Sequence, residues 1–530
     1  MHRARLVLAV GISVVLLVAF GAVAQEPQRG GTLVFARGGD SVRLDPNDIT
    51  DGESVKVCQN IFSTLYEFDR GTSTVHPALA TSHEVSADGK EWTFYLRKGV
   101  MFHPWGDNAS YEMTADDVVF TFARQYDENH PYHEGDFAYW GYMYNYITEV
   151  QKVDDYTVKF VLDRPSAPNL LNLACFPAMI VSKRAMEDMG AEAFRNNPVG
   201  TGPFKFVSWT RGSEIVLEKF EGYWNDPYPY LDGVVFKVIP EEQARLIALK
   251  AGDIDVMDSV TPDNAPLIED DGNLTLVEAP GLNVGYVAMN QMIEPFDNIL
   301  VRLAVNHAVD KKMLVDTFYK GRGEVAINPM PSNLWGWNDE IVDYEYNPDL
   351  ARAYLAAAGY PDGFDTELWY MPVFRDYFPQ PKLVGQAIQA QLAEVGIRAE
   401  LVTYEWGTYL EKTEAGEHPM CMLGWMGDNG DPDNFIYVLL DKDAATVGSA
   451  GNVAFYISDA LHDINIAAQV TSDIDTRIAL YKQAQVVIHG DAPWLTVATG
   501  NRMVGVRSYV QDYDLNPVVK GRFEFVWSSK

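Results

Sequence analysis

Apolar positions along this chain recur in two rhythms, with no solenoid-length repeat and no low-complexity tract. Period-2 alternation and short apolar runs between Gly, Pro, Asn and Asp clusters predict strands at 31–36, 90–96, 154–162, 205–209, 215–220, 234–239, 254–256, 284–289, 397–402 and 420–423. Asp88-Gly89 before the second of these is a hairpin turn. Helical spacing fills the gaps. Thr114 can cap a helix through Ala123, with Asp116 and Asp117 at the positive end of its dipole. Residues 241–251 form another helix, closed by Gly252. Val301, Val305, Val309 and Met313 fall four apart and predict one helix face. Asn347-Pro348 opens a helix that Gly359 and Pro361 end, and Ile388, Leu392 and Val395 line one that Gly396 ends. A last helix covers 475–489. Strand, helix, strand is the rhythm of an α/β sheet, with 75–195 as a compact insert, part strand and part helix.

The N-terminus has a different pattern. Arg3 and Arg5 precede an uncharged apolar run, 6–23, and Ala22-Val-Ala24 stands before the polar Gln25-Glu-Pro-Gln-Arg29. Residues 1–24 are therefore expected to be a signal peptide cleaved after Ala24, which puts the mature chain in the periplasm. An uncleaved anchor is the alternative, because the run approaches the length of a membrane span. No cysteine stands at the cleavage site to carry a lipid. The remaining chain is too long for one core and implies two or three domains.

Charge and cysteine content narrow the function. With 41 basic and 74 acidic residues the net charge is −33, which argues against nucleic acid or an anionic membrane surface as partner. Cys58, Cys175 and Cys421 have no Cys-x-x-Cys spacing and read as buried free thiols. The ten histidines form no pair of zinc-ligand spacing, and His103 and His489 read as structural. No cofactor is implied.

Two glycine-rich passages invite chemistry. Asn197-Pro-Val-Gly-Thr-Gly-Pro-Phe204 lacks the Lys-Ser/Thr helix of a phosphate loop, and Pro203 removes a donor. Gly424-Trp-Met-Gly-Asp-Asn-Gly-Asp-Pro-Asp-Asn434 lies between two apolar runs, as a ligand-presenting loop would. Its acids Asp428, Asp431 and Asp433 miss the calcium-loop pattern, because Leu440 stands at the glutamate position and Pro432 interrupts.

Four stretches carry a resemblance: Ala115-Asp-Asp-Val-Val-Phe-Thr-Phe122; Asn197 to Phe204 with Gly222-Tyr-Trp224; Gly281-Leu-Asn-Val-Gly-Tyr286; and Thr403-Tyr-Glu-Trp-Gly407 with Gly424 to Asn434. Together they resemble the extracytoplasmic solute-binding proteins, family 5, of peptide ABC transporters, and most closely the members that take dipeptides. The resemblance runs from about Gly30 to the C-terminus. It implies an α/β, two-lobe periplasmic-binding-protein fold (type II, cluster C-like) with an inserted subdomain in lobe I. Lobe I would be 30–282 plus 500–530, with the insert at about 75–195, and lobe II 283–499. The crossings would fall near 283–289 and 494–499. It also implies a monomeric receptor, not an enzyme, that hands a short peptide to membrane permease subunits. Carried over residue by residue, the peptide ammonium falls to Asp428 and its carboxylate to Arg375 of Met371-Pro-Val-Phe-Arg-Asp-Tyr377. Tyr377, Trp406, Trp425 and Gly427 fall near the peptide. The family's paired cysteines are missing here, and Phe374, Asp376, Met426 and Asp51-Gly-Glu-Ser54 depart from its pattern.

The chemistry suits a zwitterion. An extended dipeptide separates its charges by roughly 6–7 Å. Enclosing both ends demands an opposite charge at each. Arginine meets a carboxylate with a planar fork, which lysine cannot do. Aromatic walls tolerate many side chains, so fixed anchors select length more than sequence. The same fold also serves longer peptides, haem, nickel chelates and opines. An exported hydrolase is the rival of another class, but no serine elbow or metal motif supports it.

Overall fold

The computed structural model describes residues 26–530, so the expected signal peptide lies outside the described residues. Two large sheets define two lobes. The first runs, in spatial order, Leu274–Ala279, Arg502–Arg507, Val256–Met257, Thr32–Arg37, Gly233–Val238, Glu214–Lys219 and Phe204–Thr210. The second runs Gly323–Val325, Trp494–Gly500, Asn283–Met289, Met420–Met426, Phe364–Trp369 and Ile397–Val402. A separate four-stranded antiparallel sheet, Ala80–Val85, Glu91–Leu96, Thr157–Leu162 and Ile147–Asp154, packs beside the helix Ala115–Tyr126.

The chain leaves the first sheet after Ala279 and enters the second at Asn283; it returns between Gly500 and Arg502. Asn283 ties the two passages. Its Nδ2 donates to the Gly500 carbonyl at 2.8 Å, and its Oδ1 accepts from the Gly500 N–H at 2.9 Å. A Cβ on Gly281 would lie 2.1 Å from that carbonyl, so only glycine lets the passages approach so closely. The strands 283–289 and 494–500 are buried throughout. That is why they read as apolar runs rather than alternating ones.

Two expected elements differ. The face marked by Val301 to Met313 belongs to two helices, Ile299–Ala308 and Lys311–Phe318. Asp310 breaks the run. Its carboxylate accepts from the Met313 N–H and caps the second helix, while its own N–H goes to Gln391 Oε1 instead of a helical carbonyl. The segment 154–162 is not one strand either. Asp154 ends one strand, Asp155-Tyr156 turns, and Thr157–Leu162 pairs back. The outer strand, 147–154, is exposed at most positions and has a weak apolar signature.

The glycine-rich passage 197–204 packs tightly against another backbone. A Cβ on Gly200 would lie 2.1 Å from the Ile61 carbonyl, and the Gly202 N–H donates to that same oxygen at 2.8 Å. The passage therefore seals the C-terminal end of the helix Gly52–Ile61. All three cysteines are buried and free. Among the described residues, no helix is long and apolar enough to cross a membrane. Gly200→Ala is expected to destabilise the fold by about 1–3 kcal/mol through overpacking against a main chain that cannot give. Urea unfolding checks this, and an unchanged midpoint would refute it.

Candidate ligand-binding site

The loop after Met420–Met426 takes its shape from its own acids. Asn429 Oδ1 accepts from the Asp431 N–H at 2.9 Å, and Asp431 Oδ1 from the Asp433 N–H at 3.0 Å, two successive Asx turns. Pro432 then leads into the helix Asp433–Leu440. Arg477 Nη2 donates to Asp431 Oδ1 at 2.8 Å and its Nη1 stands 2.8 Å from Oδ2, a buried ion pair. Gln469 Nε2 donates to Asp433. Asn434 Oδ1 accepts from the Asp428 N–H and the Trp425 indole N–H, both at 2.9 Å. Two of the three acids are thereby committed to the loop, and the third, Asp428, is left facing the other lobe.

Asp428 is buried where the lobes meet. Tyr139 Oη donates to its Oδ2 at 3.2 Å, Cys175 Sγ donates to its carbonyl at 3.1 Å, and Lys520 Nζ stands 3.6 Å from Oδ1. Asn429 reaches across in the same way, donating to Asn172 Oδ1 at 2.7 Å. Burial pushes the Asp428 carboxyl above its ordinary range, and the Lys520 ammonium pulls it back. Gly427 is held by its neighbours: its N–H donates to the Leu282 carbonyl, and a Cβ would sit 2.8 Å from the Leu282 side chain.

Arg375 sits on a short turn closed by paired main-chain hydrogen bonds with Phe378. Three glycines on three adjacent strands clear the seat for this turn. A Cβ at Gly500 would lie 1.8 Å from the Asp376 carbonyl, one at Gly285 2.7 Å from the Tyr377 carbonyl, and one at Gly424 2.5 Å from the Tyr377 ring. Tyr319 Oη donates to the Tyr377 carbonyl and pins the turn from below. The Arg375 guanidinium lies 5.1 Å over the Trp406 ring, which stacks in turn on Tyr409. It donates to the Phe374 carbonyl at 2.8 Å and reaches the Tyr377 hydroxyl, and among the described residues no carboxylate lies in ion-pair range of it. A fork without a carboxylate is free to take one from a ligand. Burial pushes the Tyr377 hydroxyl up to about 12, with Arg375 opposing, and burial pushes the Asp376 carboxyl up to about 6 against the pull of Arg502.

The structure thus groups Arg375, Tyr377 and Trp406 at one turn, and Asp428 and Arg375 both act electrostatically on the Lys520 ammonium. Trp425 is half-buried and turned toward Asn434, and Gly427 is packed on Leu282, so neither offers more than a wall. Sequence reasoning did not find Lys520, Tyr139 or Cys175. Each lies on a distant segment with no local motif, and only the meeting of the lobes brings them to the loop.

Residues 74–446 match the family described as Bacterial extracellular solute-binding proteins, family 5 Middle. The chain belongs to this family. The dipeptide-binding protein of Escherichia coli K12 is 41% identical over 509 residues, covering 93% of this chain and 94% of that one. Heme-binding protein A of Haemophilus influenzae is 38% identical over 499 residues, covering 92% and 90%. The solved structure of the ABC transporter-associated periplasmic binding protein DppA from Helicobacter pylori, in complex with peptide STSA, matches with a TM-score of 0.90 at 39% identity and covers 95% of this chain and 99% of that one. Family 5 proteins are binding proteins, and the two-lobe α/β architecture described above is theirs.

Two outcomes are expected. Gly424→Ala should drive the Tyr377 ring from its seat, costing about 1–3 kcal/mol of stability and lowering ligand affinity with it; a variant with wild-type melting and affinity would refute the seat. Asp433 is buried beside Asp431, and its carboxyl is pushed up to about 7. A folded-state value above the unfolded one means that the native state holds a proton the unfolded chain releases. Stability from this group therefore rises as pH falls from about 7 toward 4. Asp433→Asn should gain stability over wild type at pH 8 and lose that advantage at pH 5 in urea titrations. The same difference at both values would refute it.

Proposed function

We propose that the chain is an exported receptor of an ABC importer, closing its lobes over a dipeptide or short peptide and delivering it to the membrane permease. In this reading residues 1–24 are removed after Ala24 and the mature protein works in the periplasm as a monomer. Lobe I is 30–282 plus 500–530, carrying the insert at about 75–195, and lobe II is 283–499. The observation that carries the reading is the presence of two opposite anchors. Asp428 is a buried carboxylate, Arg375 is a guanidinium with no carboxylate in ion-pair range, and both act electrostatically on the same Lys520 ammonium.

The peptide ammonium goes to Asp428 and its carboxylate to the Arg375 fork, both drawn from water by closure. Trp406 and Tyr377 wall the carboxylate end, while Trp425 and Gly427 line the loop. Such walls fill space without reading a particular side chain. The names of the relatives, a dipeptide-binding protein and a peptide-bound structure, support the ligand class. Haem, the ligand named for another relative, carries acidic groups and no ammonium. It would leave Asp428 without a ligand cation.

Truncating one partner of such a buried pair costs about 2–5 kcal/mol, or roughly 30- to several-thousand-fold in affinity. Calorimetric titration with a dipeptide mixture should give saturable heat in wild type. Asp428→Asn and Arg375→Met should each lose binding to this extent with an unchanged far-UV spectrum. A wild-type protein that binds no dipeptide would end the assignment, and variants that retain affinity would show the anchors misplaced.

A further inference from the structure

Lys520 stands at the ammonium anchor and has no part in the peptide contacts described so far. It lies in Val518-Val-Lys-Gly521, where the C-terminal segment returns to lobe I. Its main chain is fixed on both sides: the N–H donates to Gln59 Oε1 at 2.9 Å, and the carbonyl accepts from Arg502 at 3.4 Å. Its stem runs past the first turn of the helix Gly52–Ile61, where a Cβ on Gly52 would lie 3.7 Å from Lys520 Cδ. The ammonium lies 6.0 Å from the centre of the Phe176 ring and 3.6 Å from Asp428 Oδ1. The side chain is 14% exposed.

Four charged groups act on this ammonium. Asp428 is the carboxylate that attracts it; Arg502, Lys56 and Arg375 repel it. Lys56 has its own carboxylates, Asp258 and Glu53. The Arg502 fork is spent on the carbonyls of Asn516, Val519 and Lys520. Asp428 is thus the one ion partner of Lys520 among the described residues.

A peptide ammonium that takes Asp428 leaves one carboxylate facing two enclosed ammonium groups. An uncompensated charge at that depth is expensive, whereas a second anion next to the first removes the deficit. An amino-terminal Asp or Glu supplies that anion one or two methylenes from the carbon that bears the ammonium. We propose that Lys520 is a specificity-determining residue that selects an acidic side chain at the first position of the bound peptide. The inference rests on the peptide-receptor reading. It adds a side-chain preference at one end of a cleft whose aromatic walls impose none.

The test compares isosteric ligands by calorimetry. Wild type should bind Glu-Ala about tenfold or more tighter than Gln-Ala, with an Ala-Glu to Ala-Gln ratio near one. In Lys520→Met the Glu-Ala preference should vanish while Gln-Ala binding persists, and Lys520→Arg should keep the preference. Lys520→Gln replaces the Met variant if that one fails to fold. Equal wild-type affinities for Glu-Ala and Gln-Ala overturn the inference and leave the receptor reading standing. So does a preference that survives loss of the lysine charge. Failure of every dipeptide to bind wild type overturns both.

Discussion

A carboxylate held out of water must meet a cation, and the meeting of the two lobes is arranged around that requirement. Asp428 enters the interface on the second lobe, and Lys520 comes to it from the C-terminal segment of the first. The rest of the loop prevents Asp428 from finding a partner at home. Asp431 is taken by Arg477, Asp433 by Gln469, and Asn434 holds the Asp428 N–H, so the carboxylate is presented instead of folded back. A solvated acidic turn of the same composition would have no such division of labour.

The opposite charge is positioned by missing side chains as well as by contacts. Gly285, Gly424 and Gly500 sit on neighbouring strands of the second sheet, and each leaves a gap that part of the turn 376–378 occupies. Gly285 and Gly424 are direct register partners. Any side chain at these positions would lift the turn off the sheet and carry Arg375 with it. The crossing between lobes uses the same device, since Gly281 lets Asn283 bind the returning strand through two hydrogen bonds. The crossing between lobes and the turn that carries Arg375 are thus built on one sheet, and Gly500 serves both.

Local grammar was legible wherever the neighbouring residues alone decide the outcome. The Thr114–Asp117 capping box, the Asp88-Gly89 turn, the Asn347-Pro348 start and the Gly252 stop all act through hydrogen bonds or φ preferences within a few residues. The pattern failed at Val309, where the four-residue spacing continued across a break. Asp310 offered a cap and Gln391, 81 residues away, took its N–H. Periodicity records which face is buried; it is silent about where one helix hands over to the next. Strand 147–154 was missed for a related reason, because its exposed positions carry no alternation.

By itself the sequence determined the α/β rhythm, the caps and turns, and the family, through motifs such as Gly424 to Asn434 that are unusual enough to be recognised in isolation. It also contained the two candidate anchors, Asp428 and Arg375, as residues. Only the tertiary structure decided which acid of three stays uncommitted, why the glycines at 285, 424 and 500 are glycines, and that Lys520 faces Asp428. The physical reason is range. Capping and turn preferences act over three or four residues, whereas desolvation and charge pairing depend on what distant segments bring to the same few ångströms, and no local pattern encodes that meeting.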